Sequence, residues 1–165
     1  MDGKPALNKY GIYTSDIRDA AKYGQTVELY LKLESGANRR QLVLFSDPNG
    51  NRNLYRDASS SNLDSGDHVW QGSYDGADTT LSGHPDQYLP VGEWLHIVSV
   101  YGTDGSLTLY VNGEKISEYQ GAFMEPIASS FIFNDPKGVV NLHAARVYTY
   151  AATAAQVADM YQAVR

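Results

Sequence analysis

Hydrophobic and polar residues alternate along much of the chain, most regularly between residues 92 and 119. In that stretch Leu95 and Ile97 alternate with His96 and Val98. A β-strand sends successive side chains to opposite faces of its sheet. This period of two therefore predicts a strand with an apolar face formed by Leu95 and Ile97.

Two turn sequences divide this stretch into three strands. The first is GTDG at residues 102–105, and the second is the pair Asn112 and Gly113. Asn-Gly is a strong hairpin signal, because a type I′ turn requires positive φ at both central residues. The stretch therefore predicts three antiparallel strands.

Other segments show the same strand character. They are TVELYLKL at 26–33, QLVLFS at 41–46, SSFIF at 129–133 and VVNLHAARVYTY at 139–150. The polar region between residues 46 and 90 is too long for a structureless loop in a compact domain, so we expect short strands around NLYRD and HVWQGS. Many short strands with turns between them predict an all-β fold, an antiparallel two-sheet β-sandwich.

Helix signals occur near both ends of the chain. Thr153 and Gln156 form a capping box, which predicts a short C-terminal helix. The apolar residues of this helix, on one face, are Val157, Tyr161 and Val164. A second short helix is expected to begin at Ser15 and to end at Gly24, which tolerates a left-handed conformation.

The composition predicts one globular domain spanning residues 1–165, since 42% of the 165 residues are hydrophobic and 19% are charged. The longest apolar-leaning run, 126–133, is too short for membrane insertion. With a net charge of −6 and no basic cluster beyond Arg39 and Arg40, the chain is not expected to bind nucleic acid. The first residues, MDGKPALNKYG, contain no apolar stretch typical of a secretion signal.

Three segments resemble the laminin G-like domains of the concanavalin A-like lectin/glucanase superfamily. GEWLHIVSVYGTDGSLTLYVNGEKI resembles the central signature of that family, ARVYTYAATAAQVADMYQ its last strand and helix, and TVELYLKL an early core strand. The resemblance implies a jelly roll that binds glycans or surface proteins at an extracellular, cell-surface or periplasmic location. Some members of the family hold calcium at one edge.

Glucanases of this superfamily hydrolyse glycosidic bonds with paired carboxylates, which would lie close together on one strand. No such run is present. Glu114 and Glu118 flank a hairpin strand, but Glu114 lies in the turn, and a solvated edge is the simpler interpretation. Glycoside hydrolysis is therefore the least favoured function, and we expect no enzyme activity.

The four histidines are His68, His84, His96 and His143. They show neither the spacing of a metal site on a helix nor a local motif of a Ser-His-Asp triad. A hydrogen-bonded structural role is expected for those in strands.

Oxygen ligands for calcium are present in the sequence DPNGN. Asp47, Asn49 and Asn51 place side-chain oxygens at alternate positions, as a hard cation favours. Arg52 stands where a helix-loop-helix calcium loop requires glycine, so that motif is excluded. A plain turn is the alternative, because Asp-Pro and Asn-Gly both form turns.

Aromatic residues in the polar middle region favour carbohydrate recognition. Tyr55, Trp70, Tyr74 and Tyr88 lie among polar residues, with Arg56 beside them. A flat ring can stack on a sugar while polar neighbours bind its hydroxyls. The alternative is that these rings seal the sandwich beneath long loops.

The sequence thus predicts a noncatalytic carbohydrate-binding module, with protein adhesion as the alternative. It also separates the two tryptophans. Trp94 opens a predicted core strand, so its removal is expected to leave a large cavity, whereas Trp70 is a candidate sugar platform.

Overall fold

The computed structural model describes residues 24–34, 42–46, 52–57, 68–72, 78–81, 89–120 and 140–165. These residues form nine strands and one helix. The strands are β1 Gln25–Leu33, β2 Leu42–Ser46, β3 Arg52–Asp57, β4 His68–Gly72, β5 Asp78–Leu81, β6 Trp94–Tyr101, β7 Ser106–Val111, β8 Glu114–Gln120 and β9 Val140–Tyr148. The helix α1 is Ala154–Val164. For β2 to β5 the description is limited to the backbone.

The strands form two sheets. The first has five strands in the order β8-β7-β6-β1-β9, and the second has four in the order β2-β3-β4-β5. All pairs of neighbouring strands are antiparallel, as the sequence predicts. The strands β5 and β8, one from each sheet, lie close together.

The predictions for the polar middle region agree with β3 and β4, which contain NLYRD and HVWQG. The strand β5, with the sequence DTTL, was not predicted, because it has one apolar residue and no alternation. The predicted strand at 129–133 and most of the predicted helix at 15–24 lie outside the described residues. Gly24 itself has a φ of +77°, the left-handed conformation expected of it.

One face of the five-stranded sheet is almost entirely hydrophobic, and we call it the apolar face. Its core residues are Val27, Leu29, Leu31, Leu33, Leu95, Ile97, Leu109, Val111, Val140 and Leu142. In register, Leu29 pairs with Ile97 and Ile97 with Val111, so the alternating positions of three strands meet on one side. Burial of these side chains is the main hydrophobic contribution of the described residues to folding.

The opposite face of the same sheet lies against α1, and we call it the helix face. Val157 of α1 is fully buried in a cluster with Val98, Val100, Tyr110 and Ala152. The central strands β1 and β6 are therefore buried on both sides, and polar residues of β1 become part of the interior.

The helix begins as its sequence predicts. Thr153 is the N-cap residue, and Gln156 N donates to Thr153 Oγ1 over 3.3 Å. In return Thr153 N donates to Gln156 Oε1 over 2.8 Å, which completes the capping box. Within the described ranges, no helix has the length and apolar character needed to cross a membrane.

Candidate functional site

The most distinctive polar group of the helix face is a buried carboxylate on β1. Glu28 has a side chain only 2% exposed. Its Oε1 lies 3.0 Å from His96 Nε2 and 3.0 Å from Arg146 Nη1, and its Oε2 accepts a hydrogen bond of 2.7 Å from the Tyr148 hydroxyl. We call Glu28, His96, Arg146 and Tyr148 the Glu28 cluster.

The register of the sheet explains why these four residues meet. Glu28 is the direct partner of Arg146 on β9, while Tyr148 is the partner of Thr26, two residues before Glu28. On the other side, His96 of β6 pairs with Tyr30, two residues after Glu28. Cross-strand and diagonal neighbours on one face of a sheet are within reach of long side chains.

The electrostatics of the Glu28 cluster favour an ionised carboxylate. Burial acts to raise the pKa of Glu28, but hydrogen bonds from His96, Tyr148 and Arg146 outweigh it and lower the pKa below its ordinary value. Burial, followed by the hydrogen bond to Glu28, raises the pKa of Tyr148 to about 12. The cluster is thus a buried negative charge held by three donors.

His96 is itself held from several directions. Its backbone N donates to Asn112 Oδ1 over 3.0 Å, and its backbone O accepts from Asn112 N over 2.8 Å. The ring of Tyr161 from α1 stacks on the His96 ring with centroids 5.8 Å apart. The structural role predicted for His96 is confirmed, because it links the sheet, the hairpin turn and the helix.

The Asn112-Gly113 turn has the predicted conformation, with φ of +52° and +82°. Gly113 also makes room for the helix. A Cβ atom built on Gly113 would lie 3.1 Å from Tyr161 Cδ1, so the absence of a side chain there allows the close approach of Tyr161.

A second group on the same face is aromatic, and we call Tyr30, Trp94 and His143 the Trp94 cluster. The Tyr30 and Trp94 ring centroids are 5.2 Å apart, and the His143 ring meets both edge-on. Lys32 Nζ lies 5.7 Å from the Trp94 ring centroid. The expectation that Trp94 belongs to the hydrophobic core was wrong, because Trp94 directly precedes Leu95 and so lies half-buried on the face opposite to it.

Three of the predicted ligand-binding residues lie in the second sheet. Tyr55 on β3 and Trp70 on β4 are direct cross-strand partners, whereas Arg56 is the partner of Val69. Successive residues of a strand alternate between faces, so Arg56 lies on the face opposite to Tyr55 and Trp70. The backbone therefore places Tyr55 and Trp70 together and Arg56 apart from them.

The remaining predicted site residues lie outside the described residues. They are the ligand-binding candidates Tyr74 and Tyr88 and the calcium candidates Asp47, Asn49 and Asn51. Within the part of the chain that the structure describes, no group of three His, Asp or Glu side chains could hold a metal ion.

Sequence reasoning missed Glu28. In TVELYLKL it occupies a polar position of a period-two pattern, which ordinarily means solvent. The sequence contained one weak signal for this cluster. In the predicted strand at 139–150, Arg146 and Tyr148 are two residues apart and so lie on one face of that strand.

Residues 8–158 match a laminin G family described as the concanavalin A-like lectin/glucanases superfamily. No curated protein matches the chain.

Several solved structures share its fold. The binding domain of botulinum neurotoxin serotype D aligns with a TM-score of 0.68 and 10% identity, covering 98% of this chain and 42% of that one. The binding domain of botulinum neurotoxin DC in complex with rat synaptotagmin II gives 0.65 and 8%, covering 94% and 40%. The same domain in complex with SialylT gives 0.61 and 8%, covering 94% and 39%.

These identities show the fold alone, and this chain spans about two fifths of the length of each structure. The predicted fold class, an antiparallel β-sandwich of the jelly-roll type with a short C-terminal helix, is confirmed.

Proposed function

The chain belongs to the concanavalin A-like lectin/glucanases superfamily, and on that premise we propose that it is a noncatalytic carbohydrate-binding module. The observation that carries the proposal is this membership over residues 8–158, joined to a fold shared with domains that bind partners. We propose that it acts outside the cell, at a cell surface or in a periplasm, where glycans and surface proteins are accessible.

Glu28, the buried carboxylate of the helix face, is not arranged as a glycosidase carboxylate. A glycosidase needs two carboxyl groups that flank the scissile bond and remain free to exchange protons or attack. Glu28 is buried, and both of its oxygens already accept hydrogen bonds. Release of reducing sugar from a panel of polysaccharides, abolished by one Asp or Glu substitution, would contradict the noncatalytic assignment.

A glycan array tests the function directly. We expect saccharide binding, measured with and without a chelator. If calcium is held by Asp47, Asn49 and Asn51, the chelator should lower both binding and the melting temperature, since a ligand that binds the folded state stabilises it. Calorimetry that shows no heat with calcium would remove the calcium site while leaving the carbohydrate proposal intact.

We propose that the cross-strand pair Tyr55 and Trp70 contributes one binding surface, with Tyr74 and Tyr88 as further candidates. The support is the register that makes Tyr55 and Trp70 direct partners. The Trp70→Ala variant should keep a near-native melting temperature while glycan affinity falls by ~1–3 kcal/mol, the size known for aromatic stacking on nucleobases. A collapse of the fold instead would mean that Trp70 is a core residue.

Arg56 lies on the other face of the strand, so Arg56→Ala should weaken binding less than Trp70→Ala does.

Protein adhesion is the second candidate function. The favouring observation is the similar binding domain solved in complex with rat synaptotagmin II. A glycan array without signal, together with capture of a purified surface protein at micromolar concentration, would favour adhesion over carbohydrate binding.

A further inference from the structure

Two residues at the end of β9 and one just after it form a partly exposed surface above the buried carboxylate of Glu28. We call Arg146, Tyr148 and Tyr150 the Arg146 surface. Arg146 has a side chain 48% exposed, and Tyr150 is 38% exposed. Among the residues that the structure describes, Tyr150 is the one large hydrophobic side chain with that degree of exposure. The rings of Tyr148 and Tyr150 lie with centroids 5.5 Å apart.

Contacts with β1 hold all three residues in place. Arg146 and Tyr148 both bind the carboxylate of Glu28. The Thr26 hydroxyl donates to Tyr150 O over 2.8 Å and accepts from Ala152 N over 2.8 Å, which ties the segment after β9 to β1. A surface fixed in this way loses little conformational entropy when a ligand binds.

Toward the residues that the structure describes, Arg146 uses only part of its donor capacity. An arginine has five N–H donors in a planar fork, and its charge persists at all ordinary pH values. Among the described residues, the partner of this guanidinium is Glu28, which Arg146 contacts through Nη1. The remaining donors can bind a carboxylate through two parallel hydrogen bonds.

We propose that the Arg146 surface binds the acidic sugar residue of a glycan, with Arg146 on the sugar carboxylate and Tyr150 against the ring. The inference rests on the proposed carbohydrate-binding function and adds the class of sugar. The net charge of −6 opposes a densely anionic polymer. A glycan with isolated carboxylates therefore suits the surface better than a highly sulfated one.

The experiment uses the full chain and matched pairs of oligosaccharides. The probes are oligosaccharides that contain glucuronate, galacturonate, mannuronate or sialic acid. Each is tested beside its methyl-esterified counterpart. We expect each bound acidic glycan to bind about ten- to a hundredfold more tightly than its ester. Arg146→Lys keeps a positive charge beside Glu28 but loses the planar fork, so this acid preference should shrink severalfold with little change in melting temperature. Tyr150→Ala keeps the backbone bond to Thr26 and should weaken binding of both members of each pair. Arg165→Lys, at an exposed arginine on the C-cap of α1, is the control and should change neither.

The outcomes separate the two proposals. Equal binding of acids and esters, or an acid preference that is unchanged in Arg146→Lys, overturns the Arg146 surface while carbohydrate binding stands. Binding that is unchanged in Tyr150→Ala overturns the contact between Tyr150 and the sugar ring. An array with no bound glycan of either kind overturns both.

Discussion

His96 Nε2 lies 3.0 Å from Glu28 Oε1, and both side chains are almost completely excluded from solvent. The two residues belong to neighbouring strands in the middle of the five-stranded sheet. Their contact is a buried ionic hydrogen bond, which is costly to break because the group left behind has no water to replace its partner.

Replacement of Glu28 by Gln should therefore destabilise the protein. The amide cannot accept at both ends, so at least one of the donors from His96, Arg146 and Tyr148 loses its acceptor. We expect a loss of roughly 3 kcal/mol in the free energy of unfolding, measured in urea. Glu118→Gln is the matched control, since Glu118 is 47% exposed and pairs with the exposed Lys115. Equal stability of the two variants would show that the Glu28 cluster contributes no net stability.

The Glu28 cluster also predicts an acid limit of stability. The pKa of Glu28 is lower in the folded protein than its ordinary value of 4.5. The stabilisation is therefore present above pH 4.5 and is lost as the pH falls through the folded pKa. The difference in melting temperature between the wild type and Glu28→Gln should be constant near neutral pH and should shrink below pH 4.5. A difference that is unchanged at low pH contradicts the ionised state of Glu28.

Tyr148 predicts the opposite limit. Its pKa is raised from 10.0 to about 12 in the folded protein. The stabilisation is therefore complete below pH 10 and is lost as the pH rises through about 12. Between pH 9 and pH 12, the melting temperature of Tyr148→Phe should decline less steeply with pH than that of the wild type. Parallel declines in the two proteins would exclude Tyr148 as the cause.

The fold was predictable from the sequence where its signals are local. The alternation in β1 and β6, the Asn112-Gly113 turn and the Thr153 capping box each lie within a few residues of the structure that they specify. The strand β5 lacked such a signal, because DTTL pairs with β4 without an alternating apolar pattern of its own.

The Glu28 cluster was not predictable in the same way, for a physical reason. The burial of Glu28 depends on Arg146 and Tyr148, more than a hundred residues later in the chain, and on a helix that covers the face. A polar position in an alternating strand identifies a face of the sheet but does not reveal whether a second layer covers that face.

Two glycines provide a further test. Gly92 and Gly113 both have positive φ, so Ala at either position should cost roughly 1–2 kcal/mol in backbone strain. A Cβ atom at Gly92 would meet nothing within 4 Å, whereas at Gly113 it would meet Tyr161 at 3.1 Å. Chemical unfolding should therefore show a larger loss for Gly113→Ala.

The control is a double substitution. In a Tyr161→Ala background the Gly113 and Gly92 substitutions should become similar, because the ring in the way has been removed. A Gly113→Ala cost that stays high in that background would place its origin in the hairpin and not in the helix contact.

The two faces of β6 predict different costs for neighbouring residues. Leu95 is 1% exposed on the apolar face, so Leu95→Ala should cost about 2–5 kcal/mol. Trp94 is half-buried against Tyr30 and His143, so Trp94→Ala should cost less, roughly 1–3 kcal/mol, from lost ring contacts and partial burial. Denaturant titration of both variants measures which one loses more free energy of unfolding. A larger loss for Trp94→Ala would show that Trp94 is a core residue.

The hydroxyl of Thr26 binds the backbone of Tyr150 and Ala152, which follow it by 124 and 126 positions in the chain. The strand β9 pairs with β1 from Thr26 to Leu33. During synthesis, β1 leaves the ribosome long before its β9 neighbour has been translated. At that stage the carboxylate of Glu28 has neither Arg146 nor Tyr148 as a hydrogen-bond donor. Folding of the sheet therefore cannot finish until residues 140–152 emerge, and pairing between such distant segments is slow compared with local helix formation. While translation continues, one edge of β1 stays open to other chains, so the interval before β9 arrives is when the nascent protein is most exposed to aggregation.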